Sequence, residues 1–182
     1  CIVLEGCRET FDLRRAYEWT ASLAQWCATQ PDLVRYRGEC LLYRAEVLQL
    51  RGQWDEAAHD AQGACDLLIS RASAGAALYR CGEIYRLRGE FTKAEEAYTR
   101  AHERGRKPQP GLSLLRLAQG QVDAAAASIR TALLDTQEQI SRARLLPAAV
   151  EILLAADDLA AARAASAELS EIALAFGAPL LA

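Results

Sequence analysis

The stretch "RLRGEFTKAEEAY" (residues 86–98) reads as one helical run with a flaw at Gly89. Glu90 follows, then the aromatic Phe91, then Ala94. The earlier stretch "QLRGQWDEAAHDA" (49–61) has the same flaw, with Gly52, Gln53, Trp54 and Ala57. Glycine just past a helix end adopts the left-handed conformation at little cost. The polar residue after it opens a second helix, whose apolar face folds back on the first. The flaw is therefore an elbow.

The elbow recurs along the chain. "GQWDEAA" begins at 52, "GEFTKAE" at 89, "GQVDAAA" at 120 and "DDLAAAR" at 157, with "FDLRRAY" at 11 a weaker copy. Successive elbows are 41, 37, 31 and 37 residues apart, a period that marks a helical solenoid. Before Gly89, the residues Leu78, Gly82 and Tyr85 form a large-small-large stripe, matched before Gly52 by Leu41, Ala45 and Leu48. After the elbows, Phe91, Ala94, Tyr98 and Ala101 match Trp54, Ala57, Ala61 and Ala64. The small residues should let the two helices approach, and the aromatic should plug the elbow. Breakers at Pro31, Gly38, Gly52, Gly75, Gly89, Gly105, 107–111, Gly120, 156–158 and Gly177 divide the chain into about ten helices. These run over 1–9, 12–29, 37–51, 54–70, 74–88, 91–104, 111–119, 121–135, 141–156 and 158–175. The predicted fold is all-α, a right-handed superhelix of about five antiparallel hairpins.

The pattern resembles the tetratricopeptide repeat. Residues 75–108 match it best, through Leu78, Gly82, Tyr85, Gly89, Phe91, Ala94, Tyr98 and Ala101. Cys81 stands where that repeat has Leu, its closing Pro is displaced to Pro108, and Arg44 replaces the Leu in residues 38–71. A narrower resemblance runs from "FDLRRAYEWTASLAQWCATQ" (11–30) through "AALYRCGEIYRLRGEFTKAEEAYTRA" (76–101) to "PQPGLSLLRLAQGQVDAAAASIRTAL" (108–133). These stretches look like the helical repeat region of large bacterial LuxR-type transcription regulators. That resemblance implies a single tetratricopeptide-like domain over 1–182, with repeats near 1–30, 37–71, 75–106, 109–135 and 141–176. It also implies a sensory or coupling role, beside a DNA-binding helix-turn-helix that these residues do not contain. A phosphate-binding G-x-x-x-x-G-K-[ST] loop is absent too. The alternative is a free-standing adaptor of the same fold, unconnected with transcription.

Composition narrows the chemistry. A net charge of −3 does not suggest a nucleic-acid arm or a polybasic membrane surface. No run of apolar residues is long enough to span a bilayer, and no leader with a cleavage site is visible. The chain begins at Cys1 and contains no Met, which reads as a segment of something longer. Its six cysteines include no C-x-x-C pair, and only His59 and His102 could join them around a metal. The cysteines are read as free, core-compatible thiols in a reducing cytoplasm. No base is expected beside a nucleophile. The two histidines fall at outward positions, Asp157 and Asp158 fall where an N-cap belongs, and Trp19 and Trp26 share a face that reads as core packing. The "RGRKPQP" run (104–110) reads as a solvated loop. The expectation is a protein that is not an enzyme and needs no cofactor or metal.

One constellation points to binding. The stripe beside the core stripe carries Leu42, Glu46 and Gln49 in one repeat and Tyr79, Glu83 and Arg86 in the next. The same offset gives Glu5 and Arg8 near the start, and Glu151 and Leu154 near the end. Glutamate thus recurs at Glu5, Glu46, Glu83 and Glu151, with Leu114 the exception. As a recognition surface this is an acidic, partly aromatic groove for a protein or peptide partner, or for adjoining domains of the same chain. Such a partner would present basic or amide groups, while direct nucleic-acid and membrane contact are not expected and homo-oligomerisation stays open. The competing reading is a solvated face whose i, i+3 Glu–Arg pairs contribute about 0.2–0.5 kcal/mol each.

Overall fold

The computed structural model describes residues 13–29, 34–68 and 71–176. They are all-α, with no strand among the described residues. The helices are α1 (Leu13–Ala28), α2 (Val34–Leu50), α3 (Trp54–Leu67), α4 (Arg71–Leu87), α5 (Phe91–Glu103), α6 (Gly111–Ala118), α7 (Val122–Leu134), α8 (Gln139–Ala155) and α9 (Leu159–Phe176). The expected helix over 1–9, the breakers Pro31 and Gly177, and Glu5 with Arg8 lie outside the described residues. No described helix is long and apolar enough to cross a membrane.

The elbows share one backbone solution. Gly52, Gly89 and Gly120 have φ of 75°, 75° and 77°, and Asp157 takes the same left-handed turn at φ 57°. At Gly89 the glycine N–H donates to Arg86 O at 3.1 Å, and the next N–H, of Glu90, donates to Tyr85 O at 2.9 Å. Equivalent bonds run from Gly52 and Gln53 to Gln49 and Leu48, from Gly120 and Gln121 to Leu117 and Arg116, and from Asp157 and Asp158 to Leu154 and Leu153. Each pair of bonds satisfies carbonyls that a helix C-terminus leaves orphaned. Asp158 then acts as the predicted N-cap, accepting from Ala161 N at 3.1 Å, whereas Asp157 supplies the turn.

The chain divides into two compact units, Cys1–Pro108 and Gln109–Ala182. In the first, α2 packs on α3 and α4 on α5, α1 and α3 lie against the next helices, and α2 also touches α4. In the second, α6 packs on α7 and α8 on α9, and α6 also touches α8. The stripes read from the sequence are where the helices meet. Ala45, Ala57, Ala61, Ala64, Ala94 and Ala101 are wholly buried. Tyr98 is buried in the α4–α5 contact, where a Cβ on Gly82 would lie 2.7 Å from its ring. The small residue is therefore required by the neighbouring ring, as the large-small-large pattern implies.

Three expectations change. Gly38 and Gly75 do not mark helix starts, since α2 and α4 begin earlier and contain them. A Cβ at Gly38 would meet Leu68 at 2.8 Å, and one at Gly75 would meet Arg106 Cβ at 3.0 Å. These glycines admit the closing end of the second helix against the first. Trp54 does not plug its elbow and is 41 % exposed. Trp19 does not pack in the core and is 50 % exposed, while the Trp26 side chain lies outside those described.

Candidate functional site: a polar seam between first helices

The predicted groove residues divide sharply. Glu46 and Gln49 on α2 and Tyr79, Glu83 and Arg86 on α4 come together within the first unit. Glu151 stands exposed on α8, with its neighbour Leu154 also exposed, and is not part of that cluster.

The cluster is organised by a residue that the stripe reading passed over. Arg80 reaches from α4 back to α2, placing one guanidinium nitrogen 2.9 Å from Glu46 Oε1 and donating with another to Gln49 Oε1 at 2.8 Å. Burial disfavours the Arg80 charge, but Glu46, Glu83 and Tyr79 outweigh it and raise its pKa above the ordinary arginine value. Around Glu83 the arrangement continues. Tyr98 donates its hydroxyl to Glu83 Oε1 at 2.5 Å, and Arg86 lies 3.4 Å from Glu83 Oε2. The Tyr98 phenol is pushed far above its ordinary range, first by burial and then by the adjacent Glu83 carboxylate, so it stays a donor. Tyr79 packs on Tyr98 with ring centroids 5.5 Å apart, and the Arg106 guanidinium sits 5.1 Å over the Tyr79 ring.

This geometry corrects both sequence readings. The face is not freely solvated, since Glu83 is only 9 % exposed and Arg80 and Arg86 are mostly covered. It is not simply acidic either, because the carboxylates of Glu46 and Glu83 are engaged by Arg80, Arg86 and Tyr98. What it presents outward is its rim, where Glu46 keeps a quarter of its side chain accessible and Gln49 is half-buried. Nothing in the seam is a nucleophile with a base, and its chemistry is hydrogen bonding and charge pairing.

Two further polar features escaped sequence reasoning. Asp60 on α3 is buried beside Arg44 of α2, with Nε–Oδ2 at 3.1 Å in an ion pair without hydrogen-bond alignment. Burial raises the Asp60 pKa, against the lowering effect of Arg44. Half the signal was present, because Arg44 occupies a position where the repeat pattern has Leu; the buried member of the pair is Asp60, while the Arg44 side chain stays 38 % exposed. In the second unit, Arg142 of α8 grips both carboxylate oxygens of Glu168 on α9 and donates to Leu133 O at 2.6 Å and Thr136 O at 2.8 Å. The hydrogen bonds from Arg142 to the carboxylate hold Glu168 below its ordinary value, against the effect of burial.

Elsewhere, His59 and His102 are exposed as expected. An open cleft of about 290 Å³ between α1 and α2 is lined by Arg14, Tyr17, Glu18, Val47, Leu50 and Arg51. Arg51 covers the Tyr17 ring there at 3.9 Å. Among the described residues, no group of three or more His, Cys, Asp or Glu side chains is placed to hold a metal ion. No model of a known protein family matches the chain, and no curated protein matches it.

Proposed function

We propose that this chain is a non-catalytic interaction module, the sensory or coupling repeat region of a LuxR-type transcription regulator. Its fold in this reading is a tetratricopeptide-like right-handed solenoid of about five hairpins. The observation that carries the reading is the contact pattern inside each unit. First helices touch the first helix of the next pair, α2 with α4 and α6 with α8, while second helices pack between them. Stacked repeats bury their faces in this manner and leave a continuous surface of first helices for a partner.

On that surface the rim of the polar seam, Glu46 with Gln49, receives a protein or peptide segment or an adjoining domain of the same chain. The module binds in the cytoplasm, uses no cofactor, and passes its bound state to an attached effector domain. Contact with DNA belongs to that domain.

The test has two arms. Reading the flanking coding sequence should reveal a helix-turn-helix, and its absence transfers the module to a free-standing adaptor. In the full-length protein, the double substitution Glu46→Ala with Gln49→Ala should change output from a cognate promoter reporter several-fold while the protein remains folded. Unchanged output would overturn the coupling role of the seam.

A further inference from the structure

Cys65 of α3 and Cys81 of α4 place their sulfurs 3.7 Å apart, and both are free thiols. The contact lies where the second helix of one pair packs on the first helix of the next. Around it the core is made mostly of small side chains, including Ala45, Ala57, Ala61 and Ala97. A disulfide needs its sulfurs at about 2.0 Å, and side-chain rotation with a slight helix shift covers the remaining gap. The two thiols differ in access, since Cys65 is half-buried and Cys81 is buried. They also differ in readiness. The hydrogen bond between them favours the Cys65 thiolate, against the effect of burial and with help from Arg100, while the same bond and burial hold Cys81 protonated. The reachable thiol is therefore also the reactive one.

We propose that Cys65 and Cys81 form a reversible oxidation site, converted by a hydroperoxide into a disulfide that bolts α3 to α4. Hydrogen peroxide serves as the oxidant. The Cys65 thiolate attacks one peroxide oxygen, the O–O bond breaks, and the departing hydroxide takes up a proton and leaves as water. Cys65 is then a sulfenic acid. The Cys81 sulfur attacks the Cys65 sulfur and gives up its proton, the S–O bond breaks, and a second water leaves as the S–S bond forms. Two thiols are oxidised and one peroxide is reduced to two waters. A small-molecule dithiol reverses the step by exchange. Cys81 directly follows Arg80 in the sequence, so the cross-link forms beside the residue that joins α4 to α2.

Limited hydrogen peroxide on the reduced protein, a maleimide quench and peptide mapping test this. The titratable thiols should fall by two from the six of the reduced chain, a Cys65–Cys81 cross-linked peptide should appear, and dithiothreitol should restore both thiols. In Cys81→Ser, Cys65 should stop at the sulfenic acid and label with dimedone several-fold more than in the parent. The parent's peptide map decides the matter even if the variant folds poorly. A map without the Cys65–Cys81 peptide would overturn the proposal, as would cross-linking of Cys40 at an equal rate or accumulation of Cys65 as sulfinic acid in the parent.

Discussion

The two units close their elbows with the same backbone and fill the contact between first helices with different chemistry. Six residues before the elbow, the first unit has Glu46 and Glu83 and the second has Leu114 and Glu151. Nine residues before it, the series is Tyr43, Arg80, Gly111 and Ala148. One repeat in this series carries a cation there, and that cation reaches back to the Glu46 and Gln49 of its predecessor. In the second unit Gly111 and Ala148 offer no charge, and Glu151 stands in solvent. An apolar contact accepts any neighbour of the right size. A guanidinium that must find a carboxylate and an amide accepts only a repeat that supplies them. Buried pairs of this kind add little net stability over an apolar contact, but breaking one is costly. In the first unit the seam therefore ties α4 to α2 through a specific polar contact, while the alanine and leucine faces supply the adhesion.

The largest expected effect is steric and confined to the first unit. Seven residues before the elbow the first unit has Ala45 and Gly82 and the second has Ser113 and Val150. A Cβ on Gly82 already falls 2.7 Å from the Tyr98 ring. Gly82→Leu should therefore cost about 1–3 kcal/mol by overpacking, and it would also push Tyr98 off Glu83. Val150 is half-buried, so Val150→Leu should cost less than about 1.5 kcal/mol. Urea melts of the two variants check this. If Gly82→Leu is as stable as the parent, the packing of α4 on α5 through that glycine is wrong.

A double-mutant cycle addresses the seam itself. Arg80→Ala, Glu46→Ala and the double variant should give a coupling energy of about 1 kcal/mol, because the residues share a partly buried ion pair. Glu151→Ala, the same repeat position in the second unit, should stay within about 0.5 kcal/mol of the parent. A coupling energy near zero would reduce the seam to a surface ion pair, and the two units would then differ in sequence without differing in energetics.

Much of this architecture could be read from punctuation. A glycine, a polar residue and an apolar residue in that order, flanked by alanines at helical spacing, specify both an elbow and the faces that meet across it. All nine described helices begin within three residues of their predicted starts. The largest offsets fall at the helices that contain Gly38 and Gly75: a small residue serves equally as a breaker and as a close-contact point inside a helix, and a one-dimensional pattern does not tell the two apart. The seam was half-legible for a similar reason. Glu46, Gln49, Glu83 and Arg86 stood out because they repeat on one stripe of each helix. Arg80 lies off that stripe, and its partners are more than thirty residues away in sequence, so its role depends on how α4 lies against α2. Trp19 and Trp54 misled because their size suggests core, although an aromatic ring at the edge of a helix pair can remain half in solvent.

The smallest expected effect tests whether the elbows of the two units are interchangeable. Gly89 and Asp157 occupy the same left-handed turn, at φ 75° and 57°. An L-residue is strained there, with aspartate among the better tolerated, and glycine is not. Glycine in turn loses more chain entropy on folding, which offsets part of its advantage. Asp157→Gly should therefore stabilise the protein by about 0.5 kcal/mol or less. The reverse exchange, Gly89→Asp, should cost a similar amount, since a Cβ there has nothing within 4 Å to strike. Thermal melts of both variants and of the double exchange should show effects that are opposite in sign and nearly cancel. If Gly89→Asp costs several times what Asp157→Gly gains, the elbow of the first unit is held by something beyond its backbone. The seam, which ends at Arg86 just before that turn, would be the place to look.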